Sequence, residues 1–365
     1  MKAAVLRKVH EPLSIEDIEV ADPAPREVLI RNVATGVCHS DLHFITGDYP
    51  HPLPVVLGHE SAGVVEAVGP GVTYVKPGDH VVTVLSSFCG HCEYCLSGNM
   101  VLCRSLNRTQ GARNPGEPPR FSKNGETLNQ IFHVGSFAEK ILVHENTIAK
   151  IRPDMPLDRA ALLGCAVITG VGSVFHTARV EPGSTVAVIG CGGVGLSCIN
   201  GAALAGAARI IAVDREAEKL EFARKFGATD CVQATAGDVV KTVREISGGG
   251  VHYSFEAIGL KQTCEQAFKM LRPGGAATVI GLVPVGINIE IHGVELLQQK
   301  RLQGSNMGSN RFRIDMPRFV EFYMQGRLKL DGLITERIAL KDVNRALDNL
   351  KAGKGSVARQ VIMFQ

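Results

Sequence analysis

Four cysteines crowd into fifteen residues with the spacing Cys89-x2-Cys92-x2-Cys95-x7-Cys103. Two residues between thiols let one tight turn aim both sulfurs at a single point. Four thiolates then complete the tetrahedron that zinc prefers. Such a set leaves no position open, so it predicts a structural zinc held by a polar, looped lobe over residues 86–104. Two disulfides are the competing use of four cysteines. The N-terminal sequence Met1-Lys-Ala-Ala-Val-Leu-Arg-Lys-Val-His10 has no apolar run of signal-peptide length, so nothing points to an oxidising compartment. Reduced thiols, metal ligands and a cytoplasmic setting are the expectation.

The rest of the composition narrows the function classes. A chain of 365 residues has room for two or three domains. Apolar residues make up 45% and charged residues 21%, the balance of a soluble globular protein. No stretch approaches the ~20 consecutive apolar residues of a membrane span. The net charge is +3 with Lys and Arg scattered, so neither a membrane nor a nucleic-acid partner is expected.

Two rhythms divide the chain. Residues 1 to about 150 carry short β-branched runs, Val28–Ala34, Gly63–Val68 and His80–Val84, punctuated by Gly69-Pro70-Gly71 and Pro77-Gly78-Asp79. From about residue 184, strand and helix patterns alternate. Thr185–Ile189 is a continuous apolar run, followed by an Ala-rich helical stretch, then Arg209–Val213 and a helix through Phe226. Further strands are expected at Val251–Ala257 and Ala276–Leu282. Alternation of this kind predicts a doubly wound parallel sheet. The tail carries helical patterns at Met316–Met324 and Val343–Leu350 and a last strand at Gln360–Met363.

Gly190-Cys-Gly192-Gly193-Val194-Gly195 fits G-x-G-x-x-G. The string alone is weak. Here it follows an apolar strand and opens a helix, and Asp214 ends the next strand nineteen residues after Gly195. That context is the Rossmann dinucleotide fingerprint. Gly190 makes the turn, Gly192 admits the pyrophosphate, and Gly195 lets helix approach strand. Asp214 would accept from the ribose diol and repel a 2′-phosphate, which favours NAD over NADP; neighbouring Arg215 pulls the other way.

Cys38, His59 and Cys165 are widely spaced candidates for a second zinc. Cys38-His-Ser-Asp-Leu-His43 packs several ligand and proton-handling groups into six residues, and Gly58-His59-Glu60 follows two prolines, Pro52 and Pro54. Two thiolates and an imidazole leave one zinc position open, the arrangement of a reacting metal. The other cysteines, Cys191, Cys198, Cys231 and Cys264, read as small packed residues.

Taken with the lobe, Leu163-Gly-Cys165, Thr169-Gly170 and the glycine loop with Asp214, these motifs resemble the zinc-dependent medium-chain alcohol dehydrogenases over essentially the whole chain. The resemblance implies an α/β protein whose Rossmann domain (167–308) is inserted into a β-rich, barrel-like, GroES-like catalytic domain (1–166 and 309–365). It implies two zincs per chain, NAD, and a small-molecule alcohol or aldehyde, with hydride passing between substrate and nicotinamide. Ser40 would take the alcohol proton and His43 would pass it to solvent. Asp41 would orient His59, and Glu60 would stand behind the zinc. His39 and Arg359 match pyrophosphate contacts, Lys219 a ribose contact, and Thr169 and Val194 nicotinamide contacts. A homodimer or homotetramer joined at sheet edges is implied, with Gln299–Gly308 the candidate segment.

The stretch Asn107–Arg113 looks like the glutathione-dependent formaldehyde dehydrogenase branch. That branch has an arginine just after the fourth lobe cysteine, where this chain has Asn107 and then Arg108. Gly47–His51 departs from that branch's acidic pattern, and Leu85 stands where it carries a tyrosine. Ser40 and Leu85 suggest a roomy apolar pocket, hence a primary alcohol with an aromatic or medium aliphatic chain. S-hydroxymethylglutathione, or a nicotinoprotein with permanently held cofactor, are the alternatives. A zinc-free reductase on the same scaffold is the competing class, and Cys38 and Cys165 speak against it.

Overall fold

The computed structural model describes residues 1–104, 113, 117–353 and 358–365. Two compact units divide it. The first comprises Met1–Cys165, Arg311–Gly326 and Leu330–Gln365; the second comprises Ala166–Asn310 and Arg327–Lys329. The inclusion of residues 327–329 in the second unit is a detail that the sequence does not foreshadow.

The first unit is built on two sheets. The larger runs, edge to edge, through Ile148–Ile151, His80–Thr83, Glu60–Val68, Glu27–Val37, Arg359–Met363 and Ile334–Ile338. Its hub is the long strand Glu27–Val37, in which nine of eleven residues are buried. One edge pairs with Glu60–Val68 throughout. The other is shared: Lys140–His144 takes the first half and Arg359–Met363 the second. Two register shifts interrupt the pairing with Glu60–Val68, and such bulges bend a sheet. The second sheet orders Ser14–Asp17, Lys2–Leu6, Val55–Val56, Glu126–Gln130, Phe121–Lys123 and Glu19–Val20. A core of Leu6, Leu42, Phe44, Leu57, Phe137 and Leu347 packs the helices His39–Ile45 and Val343–Ala352 onto these sheets.

The second unit is a six-stranded sheet in which every neighbouring pair is parallel. Its order is Asp230–Gln233, Arg209–Asp214, Thr185–Ile189, Val251–Glu256, Leu271–Val279, Arg301–Gly304. Numbered within the unit, that is 3-2-1-4-5-6, the Rossmann order. The order reverses at Thr185–Ile189, the strand that leads into Gly190–Gly195.

Three strands of this parallel sheet differ from expectation. The one predicted at 276–282 spans Leu271–Val279 instead. It stops early because the Ile280 and Gly281 N–H groups both turn to the Glu256 carbonyl, at 2.9 and 3.1 Å. Asp230–Gln233 and Arg301–Gly304 were not anticipated: four-residue strands with one or two apolar side chains carry no period to read. Among the described residues no single helix is long and apolar enough to cross a membrane.

Candidate metal and dinucleotide sites

None of the ten cysteines is joined in a disulfide, against the disulfide alternative. In the lobe, Cys92 caps the short helix Glu93–Leu96, and the chain returns through Met100–Leu102 to Cys103. The four sulfurs lie within 4.8 Å of one another, with neighbours at 3.5 Å (Cys92–Cys95), 3.8 Å (Cys89–Cys95) and 3.9 Å (Cys92–Cys103). Thiolates at about 2.3 Å from a tetrahedral zinc stand about 3.8 Å apart. The cluster therefore fits zinc without rearrangement. Burial would raise the Cys89 thiol, but the N–H groups of His91 and Cys92 aimed at its sulfur bring it down to about 6.

Cys38, His59 and Cys165 come together from three separate places. Cys38 follows the hub strand and caps the helix His39–Ile45. His59 directly precedes the strand Glu60–Val68, and Cys165 follows the turn Leu162–Gly164. Their ligand atoms lie within 4.8 Å of one another, with the two sulfurs 3.9 Å apart, and all three residues are buried. His59 Nε2 is buried and has no hydrogen-bond partner among the described residues. Orphaned buried nitrogens are rare and ask for an explanation; a metal ion held with the two sulfurs supplies it. The donor set fits zinc with one position left over.

Asp41 organises this centre. Its Oδ1 stands 3.3 Å from His59 Nδ1 and accepts the Gly58 N–H at 3.1 Å, while Oδ2 accepts the Cys38 N–H at 3.2 Å. Burial alone would lower the His59 pKa; the Asp41 carboxylate reverses this and holds it well above the usual value. Gly58 has a φ of +86°, and a Cβ there would fall 2.4 Å from Phe137 Cδ1. The glycine is thus required for the approach that delivers His59.

The neighbouring side chains sort themselves by place. Ser40 Oγ is 3.7 Å from Cys38 Sγ. His43 lies on the same helix, its Nδ1 3.3 Å from Asp48 Oδ2; His39 is exposed, its ring 5.7 Å from that of His43. Glu60 is fully buried and pairs with Arg359, Oε2 to Nε 3.3 Å, and Arg359 Nη2 is 3.8 Å from Cys38 Sγ. Burial lifts the Glu60 carboxyl to about 7 although Arg359 opposes it. A hydrogen bond from Cys165, helped by Arg359, holds the Cys38 thiol well below its ordinary value. Sequence reasoning gave Arg359 a pyrophosphate; its neighbours within this unit are Glu60 and Cys38. It also missed two aromatic partners of the centre, Phe132 and Phe44, whose rings no spacing rule links to His59. Asn107 and Arg108 fall outside the described residues, and Arg113 is engaged with Glu27 at 2.6 Å. Leu85 is half-buried.

The glycine loop of the second unit has the geometry of its motif. Gly190 turns with φ +94°. Nothing lies within 4 Å of a Cβ at Gly192, whereas one at Gly195 would stand 1.7 Å from the Gly190 carbonyl oxygen. Gly192 caps the helix Gly193–Leu204 without a side-chain cap hydrogen bond, and a helix N-terminus of this kind offers N–H groups and a positive dipole end suited to an anion. Val194 in that turn is half-buried. Asp214 Oδ2 accepts the Cys191 N–H at 2.7 Å and Oδ1 the Glu216 N–H at 3.1 Å. This carboxylate ties the loop to the end of the next strand. Arg215 is exposed, Lys219 half-buried, and Thr169 buried with its hydroxyl 3.5 Å from Met307 Sδ.

The sequence matches the alcohol dehydrogenase GroES-like domain over residues 24–154 and the zinc-binding dehydrogenase domain over residues 193–323. A protein of Schizosaccharomyces pombe named probable S-(hydroxymethyl)glutathione dehydrogenase 1 is 41% identical over 97% of this chain and 94% of its own length. The S-(hydroxymethyl)glutathione dehydrogenase of Synechocystis sp. is 40% identical over 100% of this chain and 99% of its own. The crystal structure of benzyl alcohol dehydrogenase from Acinetobacter calcoaceticus matches with a TM-score of 0.93 at 32% identity, covering 100% of this chain and 99% of that one.

Proposed function

The chain belongs to the zinc-binding medium-chain alcohol dehydrogenase family, and from that premise we propose that it oxidises the hydroxymethyl group of S-(hydroxymethyl)glutathione with NAD. The hydroxyl loses its proton and the carbon its hydride, leaving the S-formyl product, NADH and a proton. The observation that carries the redox reading is the Cys38–His59–Cys165 donor set with its orphaned His59 nitrogen. The substrate reading is supported by the 40–41% identical relatives, which favour it over the simple-alcohol expectation.

Bound at these residues, zinc supplies Lewis acidity towards the substrate oxygen, and NAD supplies the hydride acceptor. The side chains do the rest. Asp41 fixes the tautomer of His59. Ser40 sits beside Cys38 to take the hydroxyl proton, and His43, next to Asp48, hands it towards water. Glu60 and Arg359 place a carboxylate and a guanidinium behind Cys38. Asp214 at the strand end supports NAD over NADP. His39, Arg215, Lys219, Thr169, Val194 and Arg359 are proposed to contact the dinucleotide. The reading places the protein in the reducing cytoplasm, where metal-binding thiols stay reduced.

A second reading, an aromatic or medium-chain primary alcohol, is favoured by aliphatic Leu85 and by the likeness to benzyl alcohol dehydrogenase. NADH formation by zinc-replete protein decides between them. Glutathione plus formaldehyde is offered beside a series from ethanol through octanol to benzyl and cinnamyl alcohol. We expect the glutathione adduct to turn over fastest. Benzyl alcohol far ahead of the adduct would establish the second reading, and no turnover with either would refute both.

A further inference from the structure

We propose that Phe132 is a positioning residue for the metal centre, its ring setting the plane of the His59 imidazole. The inference rests on the reading of Cys38, His59 and Cys165 as a zinc site. The Phe132 ring packs against His59 with centroids 5.3 Å apart and planes at 79°, the edge-to-face geometry that aromatic pairs favour. Its ring also packs edge to face against Phe44, at 5.4 Å and 86°. Phe44 lies on the helix His39–Ile45, which Cys38 caps. One side chain thus touches one ligand and the helix that starts at another.

The backbone under Phe132 points the same way. Phe132 has φ 48° and ψ 24°, and His133 follows with φ 58°. Two consecutive left-handed residues, neither of them glycine and one a bulky aromatic, are strained, and strain of this kind persists only where the surroundings over-determine it. They do so here. Ile131 and Val134 on either side are fully buried. The Val134 and Gly135 N–H groups both close onto the Ile131 carbonyl, and the Gln130 amide donates to the Val134 and Leu142 carbonyls. The turn is clamped at both ends, and what it presents is the Phe132 ring.

Asp41 restrains His59 at Nδ1 alone. A single hydrogen bond fixes where that nitrogen points but leaves the ring able to tilt about the bond. A ring packed close to perpendicular against the imidazole removes the tilt, so that Nε2 is aimed where the two sulfurs converge. Pinned ligand orientation is the usual office of groups that surround a metal-bound histidine.

The test compares wild type with Phe132→Leu, Phe132→Met and Phe132→Tyr, each loaded with zinc and, separately, with cobalt at the three-ligand centre. Two quantities are read: the rate at which each metal passes to a chelator, and the visible absorption of the cobalt form, which reports ligand geometry. We expect Phe132→Leu to speed loss of the metal at the three-ligand centre about tenfold and to shift the cobalt bands, with the four-cysteine metal unchanged as internal control. Phe132→Tyr, which keeps the ring, should restore both. Phe132→Met has no ring but similar bulk, and it gives the same readings where the leucine variant folds poorly. A wild type that binds two metals, with ring-less variants identical to it in release and spectrum, overturns this proposal alone. A wild type that binds metal only at the four cysteines overturns the zinc-site reading with it.

Discussion

Asp41 has two carboxylate oxygens and serves three groups: the imidazole of one ligand, the backbone N–H just before that ligand, and the backbone N–H of another ligand. Its orienting role was expected from the family resemblance alone; the structure adds that Cys38-x-x-Asp41 is a local pair, a helix cap and the acid one turn in. The Asp41→Asn variant keeps the shape, removes the charge that makes His59 a basic donor, and sets an amide N–H2 against N–H donors. Metal affinity at Cys38, His59 and Cys165 should fall on the order of 10- to 100-fold, with the lobe metal retained. Metal content after dialysis against a graded chelator checks this; equal retention at both sites would refute the role given to Asp41. Other residues were not legible at this scale. Glu60 and Arg359 are 299 positions apart, and only the register of Arg359–Met363 on the hub strand brings them together. Phe132 gave no signal in the sequence, because the left-handed turn beneath it has no glycine at the position itself to announce it.

At the scale of elements, the glycine loop was readable because Gly190 and Gly195 answer demands that the motif encodes, a left-handed turn and a close approach to the Gly190 carbonyl. The short turn Glu145–Thr147 was not, yet it anchors the lobe. His144 caps it, Nδ1 accepting the Asn146 N–H at 3.0 Å, and the Asn146 amide donates to the carbonyl of Phe88, the residue before Cys89, at 2.7 Å. Arg313 braces the same turn, donating to Asn146 Oδ1 at 3.1 Å with its guanidinium stacked 3.7 Å from the Tyr74 ring centre. Burial, with Arg26 nearby, pushes His144 down to about 4. The unfolded imidazole takes up its proton near 6.5, so between these values the unfolded chain binds more protons. Stability from this group is therefore complete above about pH 6.5 and is lost as the pH falls towards 4. Urea unfolding should show wild type losing about 1 to 2 kcal/mol between pH 7 and 5 on this account. His144→Asn, which keeps a capping oxygen without titrating, should lose that much less. Parallel pH slopes for the two proteins would refute the assignment.

The whole molecule poses the edge question. A parallel sheet read from alternating strands says which strand carries the ligand loop; it does not say how many strands the sheet has or which of them ends it. Arg301–Gly304 ends it, pairing only with Leu271–Val279 among the described residues. Its four residues gave no strand signal, so the sequence could point to the segment only through family likeness. An unpaired strand edge offers a row of N–H and C=O groups to any second strand. Just before it in the chain, Val285, Val294 and Leu297 are 86%, 70% and 84% exposed. Exposed apolar side chains beside an open edge favour closure by a second copy. A two-fold axis would set the two edge strands antiparallel and join two six-stranded sheets into one of twelve. Light scattering coupled to size-exclusion chromatography should then give a dimer, or a tetramer built from it, at micromolar concentration. Glutamate at both Val294 and Leu297 should shift the protein towards monomer by burying charge at the joint, while both zinc sites stay loaded because their ligands all lie in the other unit. A wild type that elutes as a monomer at every concentration would refute the edge pairing. A double variant that stays fully dimeric would move the joint elsewhere on the surface.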